Sequence, residues 1–183
     1  MGLSWKTIPD DMRAFIEAQK VFFVATAPQD GRVNLSPKGL DTLRVLDDRH
    51  VAYLDLTGSG NETAAHVSEN GRMTMLFLAF SGNPLALRLY GKAELIRPHA
   101  EGWEALRPLF PDLPGARQIF KLAVDSVATS CGWSMPVVIE MRERDELLKW
   151  AGGQTPEAIE EYRLANNVVS IDGHSTGYLS DDF

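Results

Sequence analysis

Apolar and polar positions alternate with a two-residue period through much of the first 130 residues, and that period belongs to strands. "VFFVATA", residues 21 to 27, is rich in β-branched and aromatic residues, and "PQDG" after it marks a turn at Pro28 and Gly31. In "RVNLSPKG" Val33 and Leu35 fall on one face, and Asn34, Ser36 and Lys38 on the other. "HVAYLDL", 50 to 56, reads as a further strand. "RMTMLFLAF", 72 to 80, is almost continuously apolar, as a central strand would be. "LALRLYGKAELI", 85 to 96, sets Leu85, Leu87 and Leu89 against Arg88 and Tyr90, and Gly91 interrupts it where a bulge or bend is expected. "QIFKLAVDSVA", 118 to 128, alternates again.

Helical patterns lie between and after these strands. Short helices are expected from Met12 to Gln19 and from Ala100 to Leu109, the latter carrying Trp103 and Leu106. Pro108, Pro111 and Pro114 then make a loop. "RERDELLKW" reads as a solvated amphipathic helix. "TPEAIEEYRLANN" starts a helix with Thr155 as N-cap, Pro156 at the first helical position and Glu157 in the first turn. Short strands joined by turns, with peripheral helices, predict a mainly β chain built on an antiparallel barrel. The 183 residues suit one domain, 1 to 183, with a helical, polar tail from about residue 140.

Composition narrows the function classes. A net charge of −7 without a basic cluster argues against nucleic acid. No apolar run would span a bilayer, and "MGLSWKTIPDDMRAF" lacks a signal-peptide core, so no membrane and a cytoplasmic setting are expected. Lys6 stands where a myristoylation motif wants Ser or Thr. Cys131 is the single cysteine; it fits a reducing compartment and reads as packed and inert. His50, His66, His99 and His174 lack ligand spacing, so no metal site is expected. His66 reads as a polar contact or a helix-surface residue.

The densest chemistry is in "YLDLTGSGNETAAHVSENGRMTMLF", residues 53 to 77. Ser59-Gly60-Asn61-Glu62 fits a capping box with Ser59 as cap and Glu62 reaching back, and Asn70-Gly71 would end the helix. A helix N-terminus presents unpaired N–H groups and partial positive charge, which suit a phosphate. Gly58 and Gly60 would let the backbone approach a ligand. Ser59, Asn61 and Thr63 would donate, and Lys38 would supply full charge from a neighbouring strand. Strand–turn–helix joints also carry Gly and Ser with no ligand, and Asn34, Ser36 and Lys38 also suit a plain solvated sheet face. The two features support each other only if their strands lie close together.

The succession "FFVATA", "VNLSPKG", "VAYLDLTGSGNETAAHVSENGRMTMLF", "LRLYGKAEL" and "SVATSCGWSMP" resembles the pyridoxamine phosphate oxidase-like family of FMN-binding split barrels, from about Met12 to about Pro136. The resemblance implies a split antiparallel β-barrel, a homodimer with FMN at the subunit interface, and a flavin-dependent oxidoreductase passing hydride between a small-molecule substrate and the flavin. It places Lys38 beside the flavin or its phosphate, with Ser36 on the same face, and Thr57 and Gly58 where a strand lines the flavin. Asn61, Glu62 and Thr63 fall where the oxidases carry a Ser-Arg-Lys phosphate clamp, so two cations are replaced by an acid and a hydroxyl. The Arg-rich C-terminal signature of those oxidases is absent, which argues against true pyridoxamine phosphate oxidase activity. Arg88 is a candidate for the groove or a surface ion pair. Trp133 is a candidate to stack on the flavin across the interface or to fill the core. The resemblance identifies no catalytic acid or base. A deazaflavin-dependent reductase and a flavin-binding sensor without turnover remain the alternatives.

Overall fold

A computed structural model describes residues 2–179. Eight strands form one antiparallel sheet: β1 (Ser4–Trp5), β2 (Phe22–Thr26), β3 (Asn34–Lys38), β4 (Leu43–Val45), β5 (His50–Leu56), β6 (Arg72–Leu78), β7 (Leu85–Ile96) and β8 (Ala116–Cys131). The order is β3-β2-β6-β7-β8-β5-β4, with β1 on β8. Five helices accompany it: α1 (Asp10–Glu17), α2 (Glu62–Asn70), α3 (Trp103–Leu106), α4 (Glu146–Gly152) and α5 (Pro156–Asn166). A 3₁₀ turn, Arg107–Leu109, prolongs α3 where Pro108 enters. The sheet curls into an incomplete barrel, as the alternation and the resemblance predict.

The long strands β7 and β8 carry the curl. Their register shifts at Tyr90/Gly91, the position where the sequence places a bulge. A Cβ on Gly91 would stand 1.9 Å from the carbonyl oxygen of Ala123 on β8, so the close approach of the two backbones requires glycine. The expected ends of β7 agree with the structure, whereas β8 is longer than the predicted 118–128, and β1 and β4 are too short to show a period.

The barrel interior is aromatic and aliphatic. Phe22 stacks on Phe77 at 5.8 Å, Tyr53 on Phe120 at 5.1 Å, and Phe22 meets Tyr53 edge-on. Val67 and Ala64 of α2 and Ile16 of α1 join this core. A smaller cluster on the opposite sheet face holds Ala52, Leu54, Ile96, Phe110 and Ile119. β5 therefore buries both faces, which is why it reads as a run and not as an alternation. β6 buries Met73, Met75 and Phe77 and leaves Thr74, Leu76 and Leu78 partly covered.

β3 is a sheet edge, where Pro37 costs no ladder hydrogen bond. Its period is as expected, but the polar members face inward: Asn34, Ser36 and Lys38 are half-buried, whereas Val33 and Leu35 are exposed.

Adding a methyl at Gly91 forces overpacking against backbone, which costs roughly 1–3 kcal/mol. Gly91→Ala should then lower the thermal midpoint by roughly 2–12 °C, at about 2–4 °C per kcal/mol for a chain of this size. A change below one degree in a calorimetric scan would show that the bulge tolerates a side chain.

Candidate functional site

Asp55 is the one carboxylate in the apolar strand β5, and it is 2% exposed. A buried carboxylate needs charged and hydrogen-bonding partners. Lys38 Nζ donates to its Oδ1 at 2.8 Å. Arg117 donates to Oδ2 through Nη2 at 2.6 Å and Nε at 3.1 Å, and Gln118 Nε2 donates to the same oxygen at 2.9 Å. Burial pushes this carboxyl up; Lys38 and Arg117 outweigh it and hold the group well below the usual carboxylate range. Lys38 also lies 5.6 Å from the centre of the Tyr53 ring. β3 and β5 stand near opposite ends of the sheet path, so the Lys38–Asp55 pair spans the split of the barrel.

The 57–61 loop follows Asp55. Thr57 is fully buried; its N–H and hydroxyl both donate to Gly115 O, and its oxygen accepts from Arg163 Nε at 2.9 Å. Gly58 O accepts from Asn167 Nδ2 at 3.0 Å, and Gly60 O from Arg117 Nη1 at 3.3 Å. Asn61 donates through Nδ2 to Asn167 O and accepts from Gln118 Nε2 at 2.7 Å. Cβ atoms built on Gly58 and Gly60 would meet nothing closer than 4.0 and 3.5 Å, so both glycines leave open room.

The expected capping box does not form. α2 starts at Glu62 with Asn61 as N-cap, and no side chain caps it. Tertiary partners recruit the side chains concerned: Asn61 turns to Gln118 and Asn167, and the Glu62 carboxylate accepts the Ile171 N–H at 3.0 Å. The expected C-terminus does form, with Gly71 left-handed at φ 70° and its N–H on Val67 O.

Two adjoining cavities open on this loop and share Pro37, Lys38, Leu56 and Gly58. One, about 600 Å³, is polar: Asn34, Ser36, Asp55, Ser59, Gly60, Asn61, Glu62, Thr63 and Arg117 line it, with Val169, Ser170 and Ile171. The other, about 680 Å³, has an apolar wall of Val21, Leu40, Leu54, Leu56, Met141 and Leu147, and the charged Lys20, Arg142, Glu143, Arg144 and Glu146 line it as well. Ser36, Lys38, Gly58, Ser59, Gly60, Asn61 and Thr63 thus meet in the polar cavity, and Thr57 borders the apolar one. Arg88 and Trp133 are not brought there. Arg88 donates to the Ser130 hydroxyl at 3.1 Å, and Trp133 is 82% exposed, so it fills no core in this chain.

His66 is 1% exposed and bonds Thr26 through Nδ1 at 3.0 Å, so it is a polar contact and not a surface residue. Burial pushes its pKa down. Cys131, expected to be packed, is exposed at the end of β8. Among the described residues no three His, Cys, Asp or Glu side chains converge as a metal site, and no helix is long and apolar enough to cross a membrane.

Asp55, Arg117, Gln118, Arg163 and Asn167 belong to no motif visible in the sequence. A carboxylate inside "YLDL" and an arginine entering a buried strand were the available signals, because each demands a partner. Asn167 gave none.

An antiparallel barrel left open along one side, with α2 packed into its core, defines a split β-barrel. The chain belongs to the pyridoxamine 5'-phosphate oxidase family, whose model matches residues 8–131. It is 38% identical over 144 residues to ustO of Aspergillus flavus, a pyridoxamine 5'-phosphate oxidase family protein; the match covers 75% of this chain and 57% of that protein's length. Among solved structures, HupZ of Group A Streptococcus superposes with a TM-score of 0.54 at 22% identity, covering 66% of this chain and 91% of that one. A Lactobacillus delbrueckii protein assigned as a pyridoxamine 5'-phosphate oxidase gives 0.55 at 20% identity, covering 69% and 97%. These two likenesses concern the fold alone.

Breaking a buried ion pair by removing one partner costs about 3–5 kcal/mol, and Asp55→Ala should destabilise the chain by that order at neutral pH. The folded Asp55 carboxyl titrates below its unfolded value of about 4. Its stabilisation is therefore complete above that pH and is lost as pH falls toward the folded value. Denaturant melts of Asp55→Asn should accordingly depend less on pH between about 5 and 2 than those of the wild type. Parallel curves would place the acid sensitivity elsewhere.

Proposed function

We propose that the chain binds FMN in the paired cavities and acts as a flavin-dependent oxidoreductase on a small-molecule substrate. The observation that carries this reading is the pairing itself. A donor-lined polar cavity and an apolar-walled one meet at Lys38 and Gly58, as a ligand with an anionic polar arm and a flat apolar ring would require. The residues fit that ligand. Gly58 and Gly60 keep open the room that side chains would fill, and Ser59, Thr63 and Ser170 bring hydroxyls to the polar cavity. Asn61 is the N-cap residue of α2, Glu62 and Thr63 begin it, and a helix N-terminus favours an anion.

The flavin, when bound, supplies the redox chemistry. This chain would hold its phosphate arm on the 57–63 segment and its ring against the apolar wall. Lys38 is half-committed to Asp55, so the charge it offers a ligand is shared. Glu62 adds negative charge where the pyridoxamine phosphate oxidases resembled by the sequence carry a cation. Neutral donors and backbone N–H groups therefore carry most of the phosphate recognition.

A second copy of the chain completes the groove in this reading. Val33 and Leu35 on the edge strand β3, and Trp133, Val137 and Ile139 after β8, stand exposed in the single chain, and an apolar interface would cover them. Trp133 is then free to meet the ligand of the other copy. Light scattering should find a dimer at micromolar concentration; a flavin-loaded monomer would contradict this assembly.

A hydrogen bond to a charged group contributes roughly 1.5–3 kcal/mol. Thr63→Ala should therefore weaken FMN by about 10- to 150-fold and affect riboflavin, which lacks the phosphate, much less. His66→Ala should leave the FMN-to-riboflavin preference unchanged. Fluorescence titrations decide it: equal loss of both ligands in Thr63→Ala, or no loss, would place the phosphate elsewhere.

A further inference from the structure

The family match ends at Cys131, yet the polar cavity is finished by residues beyond it. α5 and the segment after it return across the barrel and meet the 57–61 loop from behind. Arg163 holds Thr57 and also donates to Ala116 O at 3.0 Å, which fixes the loop against the start of β8. Asn167 is fully buried, and all its polar groups are engaged. Its Nδ2 holds Gly58 O, and its Oδ1 accepts from Arg117 Nη1 at 2.7 Å, whose other contact on the loop is Gly60 O. Its carbonyl accepts from Asn61 Nδ2 and from the Thr176 hydroxyl at 2.7 Å. Four of the five loop residues are thus held by α5, by Asn167, or by the arginine that Asn167 orients. The Ser59 side chain is left to the cavity.

The strand-like turn after Asn167 is fastened separately. Val169 bridges Ser175, and Ser170 N–H donates to His174 O at 2.8 Å. Ile171 N–H is on Glu62, Asp172 pairs with Arg32, and His174 Nε2 lies 3.1 Å from Asp30 O. Arg97 donates to Thr176 O at 2.5 Å. The segment therefore ties the β2–β3 connection, the first turn of α2 and the residue that follows β7 together over one wall of the polar cavity, which Ser170 and Ile171 line.

We propose that Asn167 is a positioning residue, and that α5 with the 168–176 segment is a clamp, supplied by the same chain, that fixes the 57–61 loop for cofactor binding. The proposal rests on the flavin reading for its ligand but not for the clamp itself. A loop of small residues, two of them glycines, has many conformations in isolation. Fixing one of them beforehand removes an ordering cost from binding. The clamp does this without touching the ligand through Asn167.

The test uses the full chain and two readouts. Hydrogen exchange of the peptide spanning residues 57 to 61, measured without flavin, reads the clamp. FMN and riboflavin titrations read its consequence. Asn167→Ala should speed exchange of that peptide at least tenfold while leaving β7 and the interior of β8 protected. It should also weaken FMN about tenfold or more, and FMN more than riboflavin. Asp172→Asn, which loosens only the outer fastening to Arg32, should give the same two changes at a few-fold, and it decides the matter if Asn167→Ala does not fold. Unchanged exchange at 57 to 61 would overturn the clamp. Faster exchange with unchanged FMN affinity would overturn its role in binding. A wild-type chain that takes up no flavin would overturn the proposed function, and the exchange comparison would still decide the clamp.

Discussion

One buried carboxylate holds the open side of this barrel together. Asp55 comes from β5 and receives Lys38 from β3 and Arg117 and Gln118 from β8. Its burial would be prohibitive without these partners, and with them it becomes a fixed junction. The sheet path begins at β3 and runs through β8 and β5 to β4, so a contact from β3 to β5 closes what backbone pairing leaves split. Replacing such a junction by apolar groups of similar volume can be neutral or even stabilising. Its value here is therefore geometric: it sets the distance between the polar face of β3 and the loop that leaves β5.

The cavities follow from that distance. β3 contributes Asn34 and Ser36, the 57–61 loop contributes Ser59 and its glycines, and α2 contributes its first turn. Arg117 serves both ends, because it reaches Asp55 with two nitrogens and Gly60 and Asn167 with a third. Charge is nearly balanced across the polar cavity, with Lys38 and Arg117 set against Asp55 and Glu62. On the proposed flavin reading, recognition of an anionic arm would depend on oriented dipoles and hydroxyls, and oriented dipoles work only if their backbone is held still. On that reading the C-terminal segment belongs to the site.

The sequence was most legible where one face of one element decided the pattern. β7 carries its limits and the Gly91 bulge in plain alternation and interruption, β5 carries its limits as an apolar run between polar neighbours, and the order of motifs pointed to the family. It was less legible where side chains serve distant partners. Glu62 three residues after Ser59 satisfies the local pattern of a capping box, but Ile171, more than a hundred residues away, takes its carboxylate. Asn34, Ser36 and Lys38 look identical as a solvated face or a cavity wall, because strand period records sides and not what lies beyond them. Asn167 sits in a polar run at a helix end, and only the return of the chain across the barrel gives it three roles.

The claim that ties these observations together is that the groove spanned by Lys38 and Asp55 holds a flavin. The visible absorption spectrum of the protein as purified, before and after denaturation, tests this most directly. The account predicts the two bands of an oxidised flavin, shifted while the protein is folded and reverting to those of free FMN when it is unfolded. A colourless protein that does not take up added FMN, or the spectrum of a deazaflavin or a haem, would contradict it.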